Sequence, residues 1–357
     1  MAVIEPLTHQ SLPDVAGFLH AFSGNHSASA PDVNSTKPEQ RLARLRWRLL
    51  ENPFRKPEDS LGQLLIDAGR VVGCHLVHPF DFHWQGQRIR IGFSSDFFVD
   101  ESVRGQGLFM FRQFLADKSF DVHAASTANS TSARLWEITK GTRVAGTNTQ
   151  FTLPLKAAPL AREVLIRRQV PAAFTSIVSA AGPIMDLVPR LLRPRLASSE
   201  STPQVTDDWE TIAAAASAMP GKWAKVIQDT KYFEWTYGQV ANSSRSRRLM
   251  HFRGESGDVW FGVENQRIGA SKQIRSLRVL DVIAAGKVVE GELLGALVAV
   301  SGDADVITMM GRPDRQLTGS RLISKRKFAH STGYLISRAV DCKELAAQLV
   351  IADADRI

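Results

Sequence analysis

The sequence has few cysteines and no long apolar segment, and each absence excludes a class of protein. Its 357 residues include two cysteines, Cys74 and Cys342, which lie far apart and give no disulfide or metal framework. We therefore expect a reducing compartment. No uncharged apolar run reaches the roughly 18 residues that a transmembrane helix needs. The first ten residues, MAVIEPLTHQ, lack the basic start and apolar core of a signal peptide, so we predict a cytoplasmic protein.

The net charge of +8 favours an anionic partner, such as a phosphorylated cofactor, a nucleic acid or an anionic membrane surface. Nucleic acid is the least supported of these partners. The sequence has no zinc-finger, RNP-like or helix-turn-helix signature, and its basic residues are not interleaved with aromatic ones. We expect no nucleic-acid binding.

Three histidines, His75, His78 and His83, lie on one predicted hairpin, whose turn is Gln85-Gly86-Gln87. Their spacing, H-x2-H-x4-H, and the lack of an acidic partner do not fit a metal site, so we predict none. Alternation along a strand places His75 on the opposite face from His78.

An internal repeat divides the chain into two α/β units, residues 1–155 and 200–357. LRWRLLENP in the first unit matches KYFEWTYG in the second, aligning Trp47 with Trp235. Downstream, Asp121 opens DVHAAST and Asp305 opens DVITMMG, and each segment predicts a strand, a polar turn and a short helix. We interpret the two units as copies of one fold.

Residues 156–199 form a basic, apolar connector between the two units, with several prolines that divide it into short helices. Two interpretations are open. The segment is a helical connector packed between the domains, or residues 156–197 are a basic amphipathic surface that contacts anionic lipid.

The stretch FFVDESVRGQGLFMFRQFL, residues 97–115, predicts a strand that passes through Arg104-Gly105-Gln106-Gly107 into a helix. Unpaired N–H groups and the positive end of the helix dipole make such a point a binding site for phosphate. We expect Gly105 and Gly107 to let the chain approach an anion closely and to adopt conformations closed to other residues. Arg104 adds a forked positive charge. An ordinary strand-to-helix turn is the alternative.

Two better-known phosphate motifs do not fit this stretch. There is no GxxxxGK[ST], which excludes a P-loop. GQGLFM lacks the third glycine of the dinucleotide fingerprint, and it follows a series of strands rather than opening a βαβ unit.

Two motifs in this order resemble the GNAT family of acyl-coenzyme A N-acyltransferases. Residues 99–109, VDESVRGQGLF, are similar to the family's central motif, and residues 129–141, NSTSARLWEITKG, are similar to the motif that follows it. The resemblance covers most of residues 1–155. It implies an α/β protein of the α+β type with two GNAT-like domains, each a mixed, mostly antiparallel twisted sheet flanked by helices.

The resemblance also implies a co-substrate, acetyl-CoA or another acyl-CoA, and no metal. Main-chain groups at the end of the strand would bind the pantetheine arm, the amides of the glycine turn would hold the diphosphate, and an asparagine would bind the coenzyme further along. The cofactor-binding residues that it implies are Phe97, Phe98, Val99, Arg104, Gly105, Gln106, Gly107, Leu108, Phe109, Met110 and Asn129.

Two positions depart from the family's pattern. Phe109 stands where a small residue is usual, although its side chain can point away from the coenzyme. Trp136 stands where the family commonly has a tyrosine as general acid, and an indole N–H does not release a proton at neutral pH. Asp96, in SSDFF, is the candidate catalytic base that takes the ammonium proton of the acceptor. The alternative for Asp96 is a residue that stabilises a bulge.

The second copy lacks the cradle. Gly286 and Gly291 are present there, but Glu290 and Glu292 bring negative charge to the place where a diphosphate would bind. We expect this copy to complete the surface that one copy leaves exposed, or to shape the acceptor site. Two basic segments, residues 244–248 and 321–328, are either solvated faces or a contact for an anionic acceptor.

The function that these expectations support is acyl-CoA-dependent N-acylation of a small-molecule amine, such as an amino sugar or a biosynthetic intermediate, by direct attack on the thioester. The alternative is a non-catalytic acyl-CoA-binding or interaction protein with the same fold. We expect a monomer or a homodimer.

Overall fold

A computed structural model gives the architecture of most of the chain. It describes residues 2–25, 37–144, 146–187, 189, 202–218, 223–238, 247–255, 257–269, 271, 273–284, 289–310, 324–327 and 332–349. Among these residues, no helix combines the length and the apolar character that crossing a bilayer requires.

The first half combines strands and helices. Its strands are β1 (Val3–Pro6), β2 (Gly62–Asp67), β3 (Arg70–Trp84), β4 (Gln87–Val99), β5 (Val122–Ala128), β6 (Thr142–Val144) and β7 (Thr149–Pro154). Its helices are α1 (Leu12–Asn25), α2 (Pro38–Leu49), α3 (Gly107–Ala116) and α4 (Ser130–Ile138), and a 3-10 turn, Glu101–Gln106, precedes α3. The connector contributes α5 (Ala158–Arg167), α6 (Ala172–Ala180) and α7 (Gly182–Met185).

The second half follows a similar order, with one added strand and one added helix. Its strands are β8 (Gln204–Val205), β9 (Lys225–Val226), β10 (Arg247–Gly254), β11 (Gly257–Ile268), β12 (Ile274–Ala284), β13 (Val306–Met310), β14 (Ser324–Lys327) and β15 (Thr332–Ser337). Its helices are α8 (Trp209–Ser217), α9 (Thr230–Tyr237), α10 (Glu290–Val300) and α11 (Cys342–Gln348). The similarity runs from β8 to β13, with the short added strand β9 between the first two helices, and α11 follows the last strand.

Two mixed sheets form, and they exchange a strand. One sheet has the order β1-β2-β3-β4-β5-β15-β6, and β9 pairs with β3 at its side; the other has the order β14-β7-β13-β12-β11-β10-β8. Within each sheet one neighbouring pair is parallel, β4 with β5 and β12 with β13. The fold class is therefore the predicted one, a mixed, mostly antiparallel sheet flanked by helices in each half.

The exchanged strands are β7, from the first half, and β15, from the second. β7 pairs with β13 and β14, while β15 pairs with β5 and β6. The predicted domain boundaries at residues 155 and 200 stay a prediction, but the sheets themselves cross them. Each half needs the last long strand of the other to complete its hydrogen-bonded ladder.

Matching contacts in the two halves support the duplication. Asp121 accepts a hydrogen bond from the backbone N–H of Arg90 at 2.8 Å, and Asp305 accepts the same bond from the backbone N–H of Arg275 at 2.9 Å. In both cases the acid stands immediately before the strand that pairs in parallel. The repeat in the sequence thus corresponds to equivalent positions in space.

The two matched tryptophans meet at the centre of the molecule. The rings of Trp47 and Trp235 stack with centroids 4.8 Å apart. Each indole Nε1–H donates to the other's main-chain carbonyl, at 3.0 Å and 3.1 Å. Both carbonyls belong to the last turn of a helix, where they lack an intrahelical partner, so each indole caps the opposite helix.

A shared core joins the halves around this pair. One cluster of buried side chains includes Trp47, Phe80 and Phe93 from the first half with Trp235 and Trp260 from the second. β3 is buried along most of its length because α1 and α2 pack on one face and α3 on the other. Burial on both faces explains its nearly continuous apolar sequence.

Candidate functional site

A cleft opens where β4 and β5 stop pairing. The two parallel strands pair from Ile91 with Val122 to Ser94 with Ala125, and both continue beyond these residues without further pairing between them. A bulge lies at the same point, because the register of β3 on β4 shifts between Cys74 and Leu76. The unpaired end of β4 keeps main-chain N–H and C=O groups available to a ligand.

Asp96 occupies the bulge with an unusual backbone conformation. Its φ of +40° is uncommon for a residue other than glycine. Its main-chain oxygen accepts from the thiol of Cys74 at 3.3 Å. The sequence suggests two roles for Asp96, and its position is the one that the second role, bulge stabilisation, requires.

Arg48, on α2, forms an ion pair with the Asp96 carboxylate. Helices α2 and α3 lie on opposite faces of the sheet, so Arg48 reaches Asp96 from the face that α3 does not cover. Its Nη1 lies 2.7 Å from Asp96 Oδ2, with side-chain exposures of 4% for Arg48 and 28% for Asp96. Burial by itself would raise the pKa of Asp96, but the charges of Arg48 and Arg44 and the hydrogen bond from Arg48 hold that pKa below its usual value. The carboxylate is therefore ionised at neutral pH.

The second terminal nitrogen of the Arg48 guanidinium forms hydrogen bonds with His78 and Ser95. Arg48 Nη2 donates to Ser95 Oγ at 3.0 Å and to His78 Nε2 at 2.9 Å. Because a guanidinium only donates, His78 Nε2 is an acceptor and the ring proton lies on Nδ1, 3.4 Å from the Arg48 carbonyl. Burial and then Arg48 lower the pKa of His78 well below its usual value, so the ring is neutral. Arg48, His78, Ser95 and Asp96 are called the bulge cluster below.

The sequence interpretation missed Arg48 and Ser95, although α2 carries a signal for the first. Positions 41, 45, 48 and 49 share the buried face of α2, together with Trp47. An arginine on such a face, beside Leu45 and Leu49, requires a buried acid to neutralise it. Asp96 supplies that acid.

His75 lies on the other face of the sheet, as alternation predicts. Its Nε2 pairs with Ser94 Oγ at 2.7 Å, and its ring packs against Phe97 and Phe114. Burial, and then the nearby His123, lower the pKa of His75 to about 3. His83 is exposed at the end of β3. The hairpin histidines do not converge, and the described part of the chain holds no group of three or more side chains suited to a metal.

The predicted phosphate cradle lies directly after β4. Asp100 caps the 3-10 turn by accepting from the backbone N–H of Ser102 at 2.9 Å, and Gly107 is the first residue of α3. Arg104 is exposed and pairs with Glu101 at 2.7 Å. The turn continues directly into α3 beside the open end of β4, and the backbone N–H of Gly107 donates to the Arg104 carbonyl within it. The phosphate cradle itself stays a prediction.

The glycines of the turn have a different purpose from the expected one. Neither Gly105 nor Gly107 has a positive φ, and Gly107 has φ −57°, which any residue adopts. The expectation of a conformation closed to other residues is therefore wrong. A side chain at Gly105 would meet nothing within 4 Å, whereas one at Gly107 would touch Val99 at 3.4 Å. Only Gly105 leaves the space above the turn open, whereas Gly107 is buried against Val99 and Phe97.

Some of the remaining predicted cradle residues pack in the core, and others are exposed to solvent. Phe97 packs on the α3 side, with its ring centroid 4.5 Å from that of His75, and Phe98 packs on the α1 side against Phe22 at 5.0 Å. Met110 is buried, and Phe109 is 53% exposed and points away from the core. The bulky side chain at position 109 therefore leaves the main chain of the turn accessible.

Asn129 and Trp136 belong to α4. Asn129 caps this helix, since its Oδ1 accepts from the backbone N–H of Ser132 at 2.9 Å. Trp136 is 1% exposed and contacts Phe111 edge to face at 5.0 Å. Its other face stacks on Tyr334, which the exchanged strand β15 brings from the second half. The residue at the position of the family's tyrosine is thus a core side chain.

The equivalent place in the second half is closed by acids. α10 begins at Glu290, and Glu292 in its first turn is buried, with Oε1 accepting from the backbone N–H of Glu255 at 2.9 Å. Asp281 in β12 takes the place of Asp96, and accepts from Gln228 and from the backbone N–H of Val282. A bound carboxylate at this helix start opposes an anion there.

The basic segments of the second half are less exposed than expected where the structure describes them. Arg247 is 1% exposed, pairs with Glu264 at 3.3 Å and lies over the Trp47 ring. It is a structural residue and not part of a solvated basic face. Gly286, residues 244–246, residues 321–323 and residue 328 lie outside the described residues.

Comparison with known proteins identifies the fold. No protein-family model matches the sequence, and no curated protein matches it. A GCN5-related N-acetyltransferase from Anabaena variabilis is 10% identical, with a TM-score of 0.57 over 94% of this chain and 72% of that chain. N-myristoyltransferase from Saccharomyces cerevisiae, solved with bound myristoyl-CoA, is 12% identical, with a TM-score of 0.57 over 94% and 82%.

Eis1 from Mycobacterium abscessus is similar over the same extent. It is 13% identical, with a TM-score of 0.50 over 94% of this chain and 73% of that chain. The three similarities extend across both halves, and they show that the chain has the GNAT fold.

Proposed function

We propose that the protein is an acyl-CoA-dependent N-acyltransferase with one coenzyme site per chain, in the cleft between β4 and β5. The observation that carries the proposal is an unpaired strand end followed at once by a short 3-10 turn with open space above one of its glycines. The main chain of β4 after Ser94 no longer pairs with β5, and the turn Glu101–Gln106, which continues directly into α3, leaves free space above Gly105. An extended arm that ends in a diphosphate matches both features.

In this proposal the chain binds the co-substrate mainly through its backbone. The main chain of residues 97–99 holds the pantetheine arm, and the amides of residues 105–110 hold the diphosphate. Asn129 adds a contact through the start of α4, which it caps. Because amides do the binding, Phe109 is accommodated with its side chain turned to solvent.

The bulge cluster serves the acceptor side of the reaction. When the acceptor attacks the thioester carbonyl, an N–C bond forms and the C–S bond breaks. An ammonium acceptor loses two protons on the way to the amide, of which one ends on the departing thiolate and the other in water. Asp96 is ionised and 28% exposed, so its carboxylate can accept a hydrogen bond from an ammonium group while it stays paired with Arg48. Since Arg48 lowers the pKa of Asp96, the carboxylate acts as a weak base that orients the ammonium and passes its proton to water.

The acyl group and the acceptor are proposed as classes. We propose acetyl-CoA as the first co-substrate to test, and a small-molecule amine, such as an amino sugar or a biosynthetic intermediate, as the acceptor. Arg247 does not contribute to an anionic subsite, because Glu264 already neutralises it.

A non-catalytic acyl-CoA-binding protein is the second candidate. Trp136 favours it, because this enclosed indole occupies the place of the tyrosine that protonates the leaving thiolate in the family the sequence resembles. Under this candidate, the coenzyme binds and no acyl transfer follows.

Calorimetric titration of acetyl-CoA into purified protein tests the proposed site. We expect saturable binding with one site per chain, and loss of binding in Gly105→Glu, which places a side chain and a negative charge above the turn. Gly17→Glu is the matched control, because Gly17 is an exposed residue of α1 whose added side chain would also meet nothing within 4 Å. Equal binding by both variants, or no binding to the unaltered protein, would overturn the proposal.

Thiol release in the presence of a panel of amines separates the two candidates. The acyltransferase predicts free coenzyme A that accumulates only when a suitable amine is present. Binding without thiol release for every amine class supports the non-catalytic candidate instead.

A further inference from the structure

An apolar stripe on the connector helices faces solvent. Phe174 and Ile177 of α6 are 55% and 63% exposed, Ile184 of α7 is 73% exposed, and Leu187 just after α7 is 48% exposed. They lie between positions 174 and 187, on two consecutive short helices and the residues directly after them. Large exposed apolar residues grouped in this way mark an interaction surface.

The acidic groups beside this stripe are engaged in hydrogen bonds. Asp186 Oδ1 accepts from the backbone N–H groups of Ala157 and Ala158 at 2.7 and 3.0 Å, and so caps the start of α5. Glu163 is buried, with Oε1 bound by Arg167 at 2.8 Å and Oε2 by the Ser271 hydroxyl at 2.6 Å. Arg167 therefore offsets the charge of Glu163, whereas the half-buried Asp186 keeps its negative charge at the start of α5.

The basic groups on the same helices are exposed. Arg162 and Arg168 are both exposed, and the described part of the chain contains no acid that forms an ion pair with either of them. The surface of the connector is therefore apolar and positively charged together. This combination is typical of helices that lie in the headgroup region of an anionic membrane.

A cavity of about 530 Å³ lies between α5, α7 and the start of β12. Its wall includes Pro183, which directly precedes Ile184 of the stripe, and several charged residues: Arg162, Arg267, Arg275, Glu163, Asp186 and Asp305. Glu163 is paired with Arg167 and Asp305 with Arg275. Arg267 is exposed and forms no ion pair with a described acid. The cavity thus brings two arginines and enough volume for a phosphate headgroup next to the apolar stripe.

We propose that the connector helices α5–α7 dock the protein on an anionic phospholipid surface, with the apolar stripe among the acyl chains and Arg162 and Arg267 on headgroup phosphates. The helices lie along the surface, since none of the described helices can cross a bilayer. A second copy of this chain fits the stripe less well. A symmetric contact would bring the same uncompensated arginines against each other. This inference does not depend on the proposed enzymatic activity.

Co-sedimentation with vesicles tests the docking surface. We expect the protein to pellet with phosphatidylcholine vesicles that contain roughly one-third phosphatidylglycerol, and to remain in solution with pure phosphatidylcholine. Raising the salt from about 0.05 M to about 0.5 M should weaken binding, because the shorter Debye length screens the arginines.

Substitutions in the apolar stripe test whether its side chains are responsible for vesicle binding. Ile177→Glu combined with Ile184→Glu should lower vesicle binding roughly tenfold or more, because two inserted side chains become charged. Val3→Glu is the matched control, since Val3 is a 55% exposed aliphatic residue of β1, and it should bind as the unaltered protein does. Circular dichroism and thermal unfolding confirm that each variant folds.

Three outcomes would overturn the proposal. These are no pelleting with anionic vesicles, equal loss of binding in the stripe and control variants, or a dimer in solution that the stripe variant converts to a monomer without any vesicle binding. The last outcome would identify a second copy as the occupant.

Discussion

Replacing Arg48 by methionine tests whether the bulge cluster depends on a single buried cation. The change keeps most of the side-chain volume and removes the donors to Asp96 at 2.7 Å, to His78 at 2.9 Å and to Ser95 at 3.0 Å. Removing one partner of a buried ion pair costs about 3–5 kcal/mol, because the other charge stays buried. Asp96 retains 28% exposure, so water recovers part of this loss. We expect about 2–3 kcal/mol of lost stability.

Urea unfolding of a double-mutant cycle measures this effect. Arg48→Met, Asp96→Asn and the double variant are compared at neutral pH. Because each single change leaves an unmatched partner, the double variant should lose at least about 1 kcal/mol less than the sum of the two single losses. Additive losses, within about 0.5 kcal/mol, would refute the reasoning that Arg48 and Asp96 stabilise the bulge as a pair.

Three further predictions concern the tryptophan pair, Asp96 and Trp136. Trp235→Phe keeps a ring against Trp47 but removes the 3.1 Å hydrogen bond, and thermal or urea unfolding should show a loss of about 1–2 kcal/mol. The stability advantage of the unaltered protein over Asp96→Asn should be full at neutral pH and shrink below about pH 4, because the pKa of Asp96 is lowered in the folded state. Trp136→Tyr should cost about 1–3 kcal/mol and leave the thiol-release rate unchanged, because this side chain lies in the core.

Local features of the site were predictable from the sequence because they depend on neighbouring residues. The glycine turn lies at the start of α3, and Asn129 stands directly before α4, where short polar side chains cap helices. Trp47 and Trp235 were matched by pattern, and they proved to meet in space. The turn and the cap each rested on fewer than about 15 consecutive residues, over which helix signals are clear. The tryptophan match rested on the internal repeat.

The strand exchange could not be predicted in the same way. β7 and β15 follow equivalent positions of the two copies, and either strand satisfies the same edge of a GNAT-like sheet. Which distant strand takes a given edge of a sheet depends on the path of the chain between the strands. The alternation of apolar and polar residues within a strand does not specify its partner. The bulge cluster was missed for a related reason, since its residues come from α2, β3 and β4. Arg48 on the buried face of α2 was the available signal.

The central claim is that residues 97–110 hold an acyl-CoA, and a structure of the protein with bound coenzyme A tests it most directly. The account predicts one coenzyme per chain, with diphosphate oxygens accepting from amides of residues 105–110 and the pantetheine arm along Phe97–Val99. A diphosphate at the start of α10, beside Glu290 and Glu292, or a coenzyme bound outside the β4–β5 cleft, would contradict it.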